Sequence, residues 1–450
     1  ARNLRDAREA ERELTTYLKK EDRIKAVTLC FCDIEGRLHM LDYDKDFLLG
    51  ALGNLTFDGS SIRGFSELHE SDLRLVVDWT SLTHLPSDVF GPGKVAVFAN
   101  VADRDLKPYE SDFRGRLQRY AAEIKEKDGL EAYMAPEIEG FLLDGIDAEQ
   151  TFTTAEGFRL ITTGGYFHSL PLDKLRRFID ATAEAQRAMG FRNEKDHPEV
   201  APSQFEINFS YTDIVRACDQ VLLYKLTCRQ IAHSMGMTAT FLPKPIQGLN
   251  GNGMHTNFSL AKNGKNIFYD KNGKDRLSEP AWSFIEKLLN RASEISLVLN
   301  SSVNAYRRLD PNFEAPNQIK VSANDRGSMI RVPFGNEHTA RIEIRSVAPD
   351  ANPYLLLYAI LKTGLEDRPP KSSDKRQRLR FLPGNINDAI RIFRTSDWTS
   401  KVMGEAAKEK YIEYKQASAS RNPRELGTSI KDSEIIYHHE VANQYLWNRF

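Results

Sequence analysis

The chain reads as an α+β protein of two domains, and three observations carry that reading. Strand-patterned and helix-patterned segments alternate irregularly along it. Its 450 residues, 41% of them hydrophobic, are enough for a large core divided among more than one domain. A polar stretch ending in proline, Asp103-Arg104-Asp105-Leu106-Lys107-Pro108, precedes a helix start at Ser111. We therefore expect domains over 1–105 and 106–450.

Taken in order, apolar residues at helical spacing from Leu4 to Lys20 predict an amphipathic first helix. Ile24 to Cys32 reads as a strand, turned at Glu35-Gly36 into a second from Arg37 to Tyr43. A charged loop, Thr56-Phe57-Asp58-Gly59-Ser60-Ser61-Ile62, leads to strands at Leu73–Asp78 and Val95–Asn100. Beyond the boundary, helices are expected over Asp112–Lys127, Asp173–Met189, Asp213–Ser234, Ala281–Leu299 and Pro353–Gly364. Strands carry Glu137, Glu206, Thr238–Phe241 and Arg341–Arg345. After Pro369-Pro370 the pattern is mostly helical to Phe450. There is no internal repeat or low-complexity tract.

Composition narrows the function classes. Lys+Arg 62 against Asp+Glu 63 gives a net charge of −1, without the basic excess that nucleic acid demands. No apolar run reaches membrane-spanning length, and the polar start Ala1-Arg2-Asn3 is unlike a signal peptide. Cys30, Cys32, Cys218 and Cys228 have neither zinc spacing nor the density of a disulfide framework. A cytoplasmic protein that binds neither nucleic acid nor membrane is the expectation.

The chemistry begins at Ala135-Pro136-Glu137-Ile138-Glu139-Gly140-Phe141-Leu142-Leu143. On a strand, period-2 alternation puts Glu137 and Glu139 on one face, and the apolar run beside them makes that strand a buried one. Two adjacent buried carboxylates repel, and a divalent cation relieves them; a solvated acidic edge is the bland alternative. Further carboxylates, Glu199 and Glu206, flank Val200-Ala201-Pro202-Ser203-Gln204-Phe205. The glycine-dense Gly248-Leu249-Asn250-Gly251-Asn252-Gly253-Met254-His255 lets backbone approach a ligand closely. His255 by itself would pass for an ordinary buried histidine. Alternation in Arg341-Ile342-Glu343-Ile344-Arg345 gathers two arginines and a carboxylate on one face. Arg307-Arg308, Arg326 and Arg331 add cations. Oxygen-rich ligands with one histidine suit Mg²⁺ or Mn²⁺ better than zinc. Carboxylate-held metal ringed by arginine is the equipment of phosphoryl transfer.

These segments, in their order, resemble the bacterial-type (type I) glutamine synthetase family. The likeness rests on Asp58-Gly59-Ser60-Ser61, Glu137-Ile138-Glu139, Glu199 with Glu206, Asn250-Gly251 with His255, Asn304-Ala305-Tyr306-Arg307-Arg308, Phe313-Glu314-Ala315-Pro316, Arg326 with Arg331, Arg341–Arg345 and Ala351-Asn352-Pro353-Tyr354. It spans residues 24–365. The resemblance implies a β-grasp-like small domain, a large catalytic α/β domain, and assembly as a homo-oligomer, a dodecamer of two stacked hexameric rings. It implies ATP as co-substrate, L-glutamate and ammonium as substrates, and two or three Mg²⁺ or Mn²⁺ per site. Glu139, Glu199 and Glu206 would hold one metal; Glu137, His255 and Glu343 would hold another, bridging the ATP phosphates. Arg308, Arg345, Asn250 and the Gly251 backbone would bind glutamate. Arg326, Arg331 and Arg341 would face the phosphates, with Ser259 near the nucleotide. Asp58 and Ser61 would reach a neighbouring subunit's site and join Tyr166, Glu199 and Glu314 around ammonium.

The resemblance also implies γ-glutamyl phosphate as intermediate; a γ-glutamyl-amine ligase of the same fold, taking a larger amine, is the alternative. The family's pattern is broken in a few places. Asn257 stands where a second histidine is usual, and His338 where lysine is common. No tyrosine lies between Tyr358 and Tyr411 to accept an adenylyl group. Glu67 follows Gly64-Phe65-Ser66 where some relatives carry a feedback-sensing arginine.

Overall fold

In the computed structural model, the structure describes residues 7–62, 64–66, 72–152, 156–171, 173–368 and 379–419. Two sheets organise the chain. The first has five strands in the order Leu38–Asp44, Ala26–Cys32, Lys94–Ala102, Asp72–His84, Thr56–Asp58. Ala26–Cys32 and Lys94–Ala102 run parallel; the other neighbours are antiparallel. Ala26–Cys32 is apolar throughout because its two faces serve different cores. Val27, Leu29 and Phe31 enter the core of the small sheet, while Cys30 and Cys32 join the large one.

The segment read as a charged loop, Thr56–Ile62, differs from expectation. Thr56–Asp58 forms an edge strand on Asp72–Arg74, and Gly59–Ser61 makes one tight helical turn. Main-chain pairing holds three residues, too few for a side-chain pattern to announce. Asp72–His84 also runs beyond the expected Asp78, with a register shift between Asp78 and Thr83.

The second sheet has ten strands, seven of them in the order 318–322, 328–331, 342–344, 254–262, 130–144, 204–209, 193–198. At its centre is the 15-residue strand Leu130–Asp144. The first nine of its residues pair antiparallel with Met254–Lys262, and Glu139–Phe141 pair with Gln204–Glu206. Helices Phe113–Asp128 and Ile214–Ser234 pack on it. The expected helices all form, with ends shifted by one or two residues: Phe113–Asp128, Lys174–Ala188, Ile214–Ser234, Glu279–Leu299 and Pro353–Glu366. Helices Ile386–Thr395, Asp397–Met403 and Glu405–Ala419 follow; the rest of the helical pattern expected up to Phe450, and Glu67, lie outside the described residues.

Polar contacts lock the two sheets' domains together. Arg114, 1% exposed, donates twice to Asp219 at 2.9 and 2.8 Å and once to Asp78 of the small sheet at 2.8 Å. Such a buried group holds only when its donors are matched. Asn352 caps the helix Pro353–Glu366 through Tyr354 and Leu355 N–H, and its amide donates to the Asp33 and Ile34 carbonyls at 3.2 Å. Gly36, at φ +92°, permits this docking: a Cβ there would meet Asn352 Cα at 2.7 Å. Among the described residues no helix is long and apolar enough to cross a membrane.

Candidate active site

The functional side chains sit on one face of the large sheet as cross-strand neighbours. His255 pairs in register with Glu137, Glu343 with Asn257 and with Arg331, Glu139 with Glu206, and Glu206 with His197. Paired residues on one face of an antiparallel ladder have Cβ atoms about 5 Å apart. Register alone therefore gathers Glu137, His255, Glu343, Glu206 and His197 from five strands.

The first cluster is Glu137, His255 and Glu343, each offering one ligand atom within 4.8 Å of the others. This is the expected trio. His255 Nδ1 lies 3.5 Å from Glu137 and 3.7 Å from Glu343. Glu343, fully buried, receives Arg345 at 2.6 Å on one oxygen and Arg331 on the other. Burial pushes the Glu137 carboxyl up, but His255, Lys195 and the Asn257 amide pull harder and hold it at about 2. Asn257 also accepts from Arg341 at 2.8 Å, so it bridges Glu137 to that arginine. Ser259 follows two residues along the same face.

The second cluster differs from expectation. The compact set is His197, Glu199 and Glu206. Glu139 stands beside it in register with Glu206, its carboxylate accepting the Gly253 N–H at 2.6 Å. Burial and then Glu139 push the Glu199 carboxyl up to about 8. Burial, then Glu137, Glu139 and Glu199, raise Glu206 well above the carboxylate range. His197 is the residue missed from the sequence. Its Nδ1 lies 3.1 Å from the Pro198 carbonyl and must donate to it, which leaves a lone pair on Nε2. Buried Nε2 has no hydrogen-bond partner and lies 3.6 Å from Glu206. A lone pair facing carboxylates in a dry site fits a bound cation. The spacing His197-Pro198-Glu199, a histidine and a carboxylate two residues apart, was the available signal.

Arginines close the site on its other side. Arg308 lies on the helix Val303–Arg308, whose N-cap Ser302 accepts the Ala305 N–H. Asn304 exchanges hydrogen bonds with the Lys244 backbone, fixing the helix to the segment that leads into the glycine loop. Arg308 donates to the Arg345 carbonyl at 3.0 Å, and burial lowers its guanidinium to about 10. Its Nη1, and Nε of Arg345, are buried without partners. The glycines matter here. A Cβ on Gly251 would meet the Pro243 carbonyl at 2.4 Å, and one on Gly253 would meet Arg308 and His255 at 2.6 and 2.7 Å.

Glu314, at φ +60°, accepts from Arg326 at 3.2 Å and from Asn250 at 3.3 Å, at the rim. Exposed Tyr166 stacks on Phe167 and meets the His197 ring edge-on at 5.6 Å; burial and Glu199 raise its phenol. Asp58 and Ser61 are not brought to this face. Exposed Asp58 accepts from Ser60 and Ser61 of its own turn, which lower its carboxyl.

Two family models match the chain: the glutamine synthetase β-grasp domain over residues 23–104 and the glutamine synthetase catalytic domain over 110–430. This chain belongs to the glutamine synthetase family. The glutamine synthetase of Thermus thermophilus is 35% identical over 428 residues, 90% of this chain and 94% of the relative. That of Methanosarcina mazei is 36% identical over 432 residues, 90% and 95% of the two. The fold matches solved structures too. Plasmodium falciparum glutamine synthetase superposes with TM-score 0.79 at 21% identity, covering 90% of this chain and 95% of that one. A GmaS–ADP complex gives 0.78 at 24% identity, covering 94% and 99%. The small five-stranded sheet is therefore the family's β-grasp domain, and the two acid clusters lie in its catalytic domain.

Proposed function

We propose that the two acid clusters and the arginines around them form the site where ammonia is ligated to glutamate. The chain is a glutamate–ammonia ligase of the glutamine synthetase type, making L-glutamine from L-glutamate, ammonia and ATP. The observation that carries the site assignment is that Leu130–Asp144 carries Glu137 of one acid cluster and Glu139 beside the other, with partnerless N–H groups of Arg308 and Arg345 near them. Buried guanidinium donors without partners suit an anionic substrate, here the carboxylates of glutamate. Arg331, in register with Glu343, and Arg341, which donates to Asn257, would receive ATP phosphates near Ser259.

In this reading the γ-carboxylate of glutamate attacks the γ-phosphorus of ATP, releasing ADP and leaving γ-glutamyl phosphate. Arg326, Arg331 and Arg341 offset the phosphate charge. Glu137, His255 and Glu343 would hold one Mg²⁺ or Mn²⁺, and Glu199 and Glu206 with His197 or Glu139 another; when bound, these ions neutralise phosphate charge and polarise the transferred group. Asp58, Glu199 and Glu314 would hold ammonium beside Ser61 and Tyr166, and Asp58 would take its proton. Glu314, on its loop, would keep water from the acyl phosphate.

Asp58 accepts from Ser60 and Ser61 of its own turn, and in this reading a neighbouring subunit in a ring completes the site. Asp58→Ala and Glu343→Ala chains should each be nearly inactive. In co-assembled rings about a quarter of junctions pair the two intact halves, so activity should return. Verified mixed rings that stay inactive would place the whole site within one chain. An assay of ADP release with ammonium, methylamine, ethanolamine and putrescine tests the acceptor. Ammonium should be preferred, with glutamine the product; preference for a larger amine would make this a γ-glutamyl-amine ligase.

A further inference from the structure

The turn carrying Asp58 is fastened from outside its own domain. Its far foot, Gly64-Phe65, meets the helix Glu405–Ala419, more than three hundred residues later in the chain. Gly64 N–H donates to the Tyr414 hydroxyl at 3.0 Å, and Lys410 Nζ donates to the Phe65 carbonyl at 2.7 Å. The approach is close: Gly64 has φ +81°, and a Cβ there would lie 2.1 Å from Ile34 and 3.3 Å from the Tyr414 ring. Phe65 is buried against Phe31, Phe57 and Tyr109. One turn along, Lys415 pairs with Glu35 at 3.2 Å, both side chains under a tenth exposed.

The near foot is fixed separately, by pairing of Thr56–Asp58 with Asp72–Arg74. Between the two feet, Ile62 N–H reaches the Gly59 carbonyl and Phe65 N–H the Ile62 carbonyl. The helix in turn is anchored to the catalytic domain. Tyr411 donates to the Leu297 carbonyl at 3.0 Å, and Lys408 Nζ donates to Arg394, Ser396 and Ser400 oxygens. Main-chain hydrogen bonds to two consecutive residues of a short turn fix both its position and its tilt.

We infer that Tyr414 and Lys410 are positioning residues for the ammonium step: they set where the Asp58 carboxylate is presented. They touch no reacting atom. The inference rests on the assignment of Asp58 to ammonium, and holds whichever subunit's site the turn enters. A helix of the catalytic domain thereby aims the proton acceptor supplied by the β-grasp domain.

The test compares Tyr414→Phe, Lys410→Met, the double variant and Asp58→Ala, each as assembled full-length enzyme. KM is measured separately for ammonium, glutamate and ATP, and exchange of the Gly64 amide is followed by mass spectrometry. Displacing a catalytic group by a fraction of an ångström should raise KM for ammonium roughly tenfold in the double variant, while the other two constants stay within about twofold. Lys410→Arg, which keeps a donor, should recover most of the loss. Gly64 should exchange faster in Tyr414→Phe, since its acceptor is gone. The inference is overturned if Asp58→Ala impairs ammonium use but the double variant does not, or if all three constants and thermal stability worsen together. If Asp58→Ala itself leaves ammonium use intact, the assignment of Asp58 fails instead, and the two failures are told apart.

Discussion

The two acid clusters meet on one sheet face, with Glu137 in the first and Glu139 beside the second, yet they are balanced in opposite ways. Around Glu137, His255 and Glu343 the protein supplies its own positive charge: Arg331 and Arg345 both grip Glu343, and Asn257 links Glu137 to Arg341. Around His197, Glu199 and Glu206 it supplies none at hydrogen-bond range among the described residues, and Glu199 and Glu206 hold their protons far above the ordinary range. The first cluster is therefore built before metal arrives; the second is in electrostatic debt until a cation enters. Burying like charges without counterions is tolerated only where function requires it.

The largest expected effect breaks the balanced cluster. Glu343→Ala leaves Arg331 and Arg345 facing one another, and should cost about 3–5 kcal/mol of stability with or without metal. Denaturant unfolding measures this, and activity should fall below detection. A variant as stable as its parent would show that the arginines find other partners.

Next, His197→Ala tests the second cluster. Losing a ligand or its orienting neighbour should lower divalent-cation affinity by about 10- to 100-fold, read by calorimetry on metal-stripped protein. Unchanged isotherms would leave His197 a packing residue beneath Phe167.

The sharpest contrast comes from Glu206→Gln. Removing one of several crowded carboxyls should stabilise the metal-free protein at pH 8 by on the order of 1 kcal/mol, the size of one pKa unit. The same variant should lose the gain in melting temperature that Mg²⁺ or Mn²⁺ gives the parent. The pH dependence has a definite sign. Glu199, at about 8 when folded against 4.5 as its ordinary value, binds its proton more tightly in the folded state. Metal-free protein should thus lose stability as pH rises from about 4.5 through about 8, and saturating metal should flatten that slope. A rising slope in the stripped protein would contradict the charge argument.

The smallest effect concerns Asn257. Asn257→Ala removes the bridge between Glu137 and Arg341, and KM for ATP should rise roughly three- to tenfold, the worth of one net hydrogen bond. An unchanged KM would mean that Arg341 needs no positioning.

How much of this was readable depended on pattern. The alternations in Glu137-Ile138-Glu139 and Arg341–Arg345 exposed the face of the sheet, because apolar residues separate the charged ones. The long helices were equally legible from their apolar stripes. His197 was not, since its strand Asn193–Pro198 is polar throughout and shows no alternation. Thr56–Asp58 was missed for a different reason: three residues held by main-chain pairing need no side-chain signature. The pairing of Glu137 with His255 and Glu343 came from family likeness, since residues so far apart in the chain meet only through strand register. Asn257 reads in the sequence only as a departure from the family; the bridge it makes depends on two partners, Glu137 and Arg341, that no local motif connects.

The central strand also restricts how this protein can change. Glu137 belongs to one cluster and Glu139 stands beside the other, both on one continuous ladder. A single-residue insertion ahead of Pro136 would rotate both carboxylates into the apolar layer beneath and lift Ile138 into their place. Both centres would lose a neighbouring carboxylate in one mutational step. Heritable variation in chain length is thus closed to this stretch, and the two centres can drift apart in character only by exchanging side chains at fixed positions.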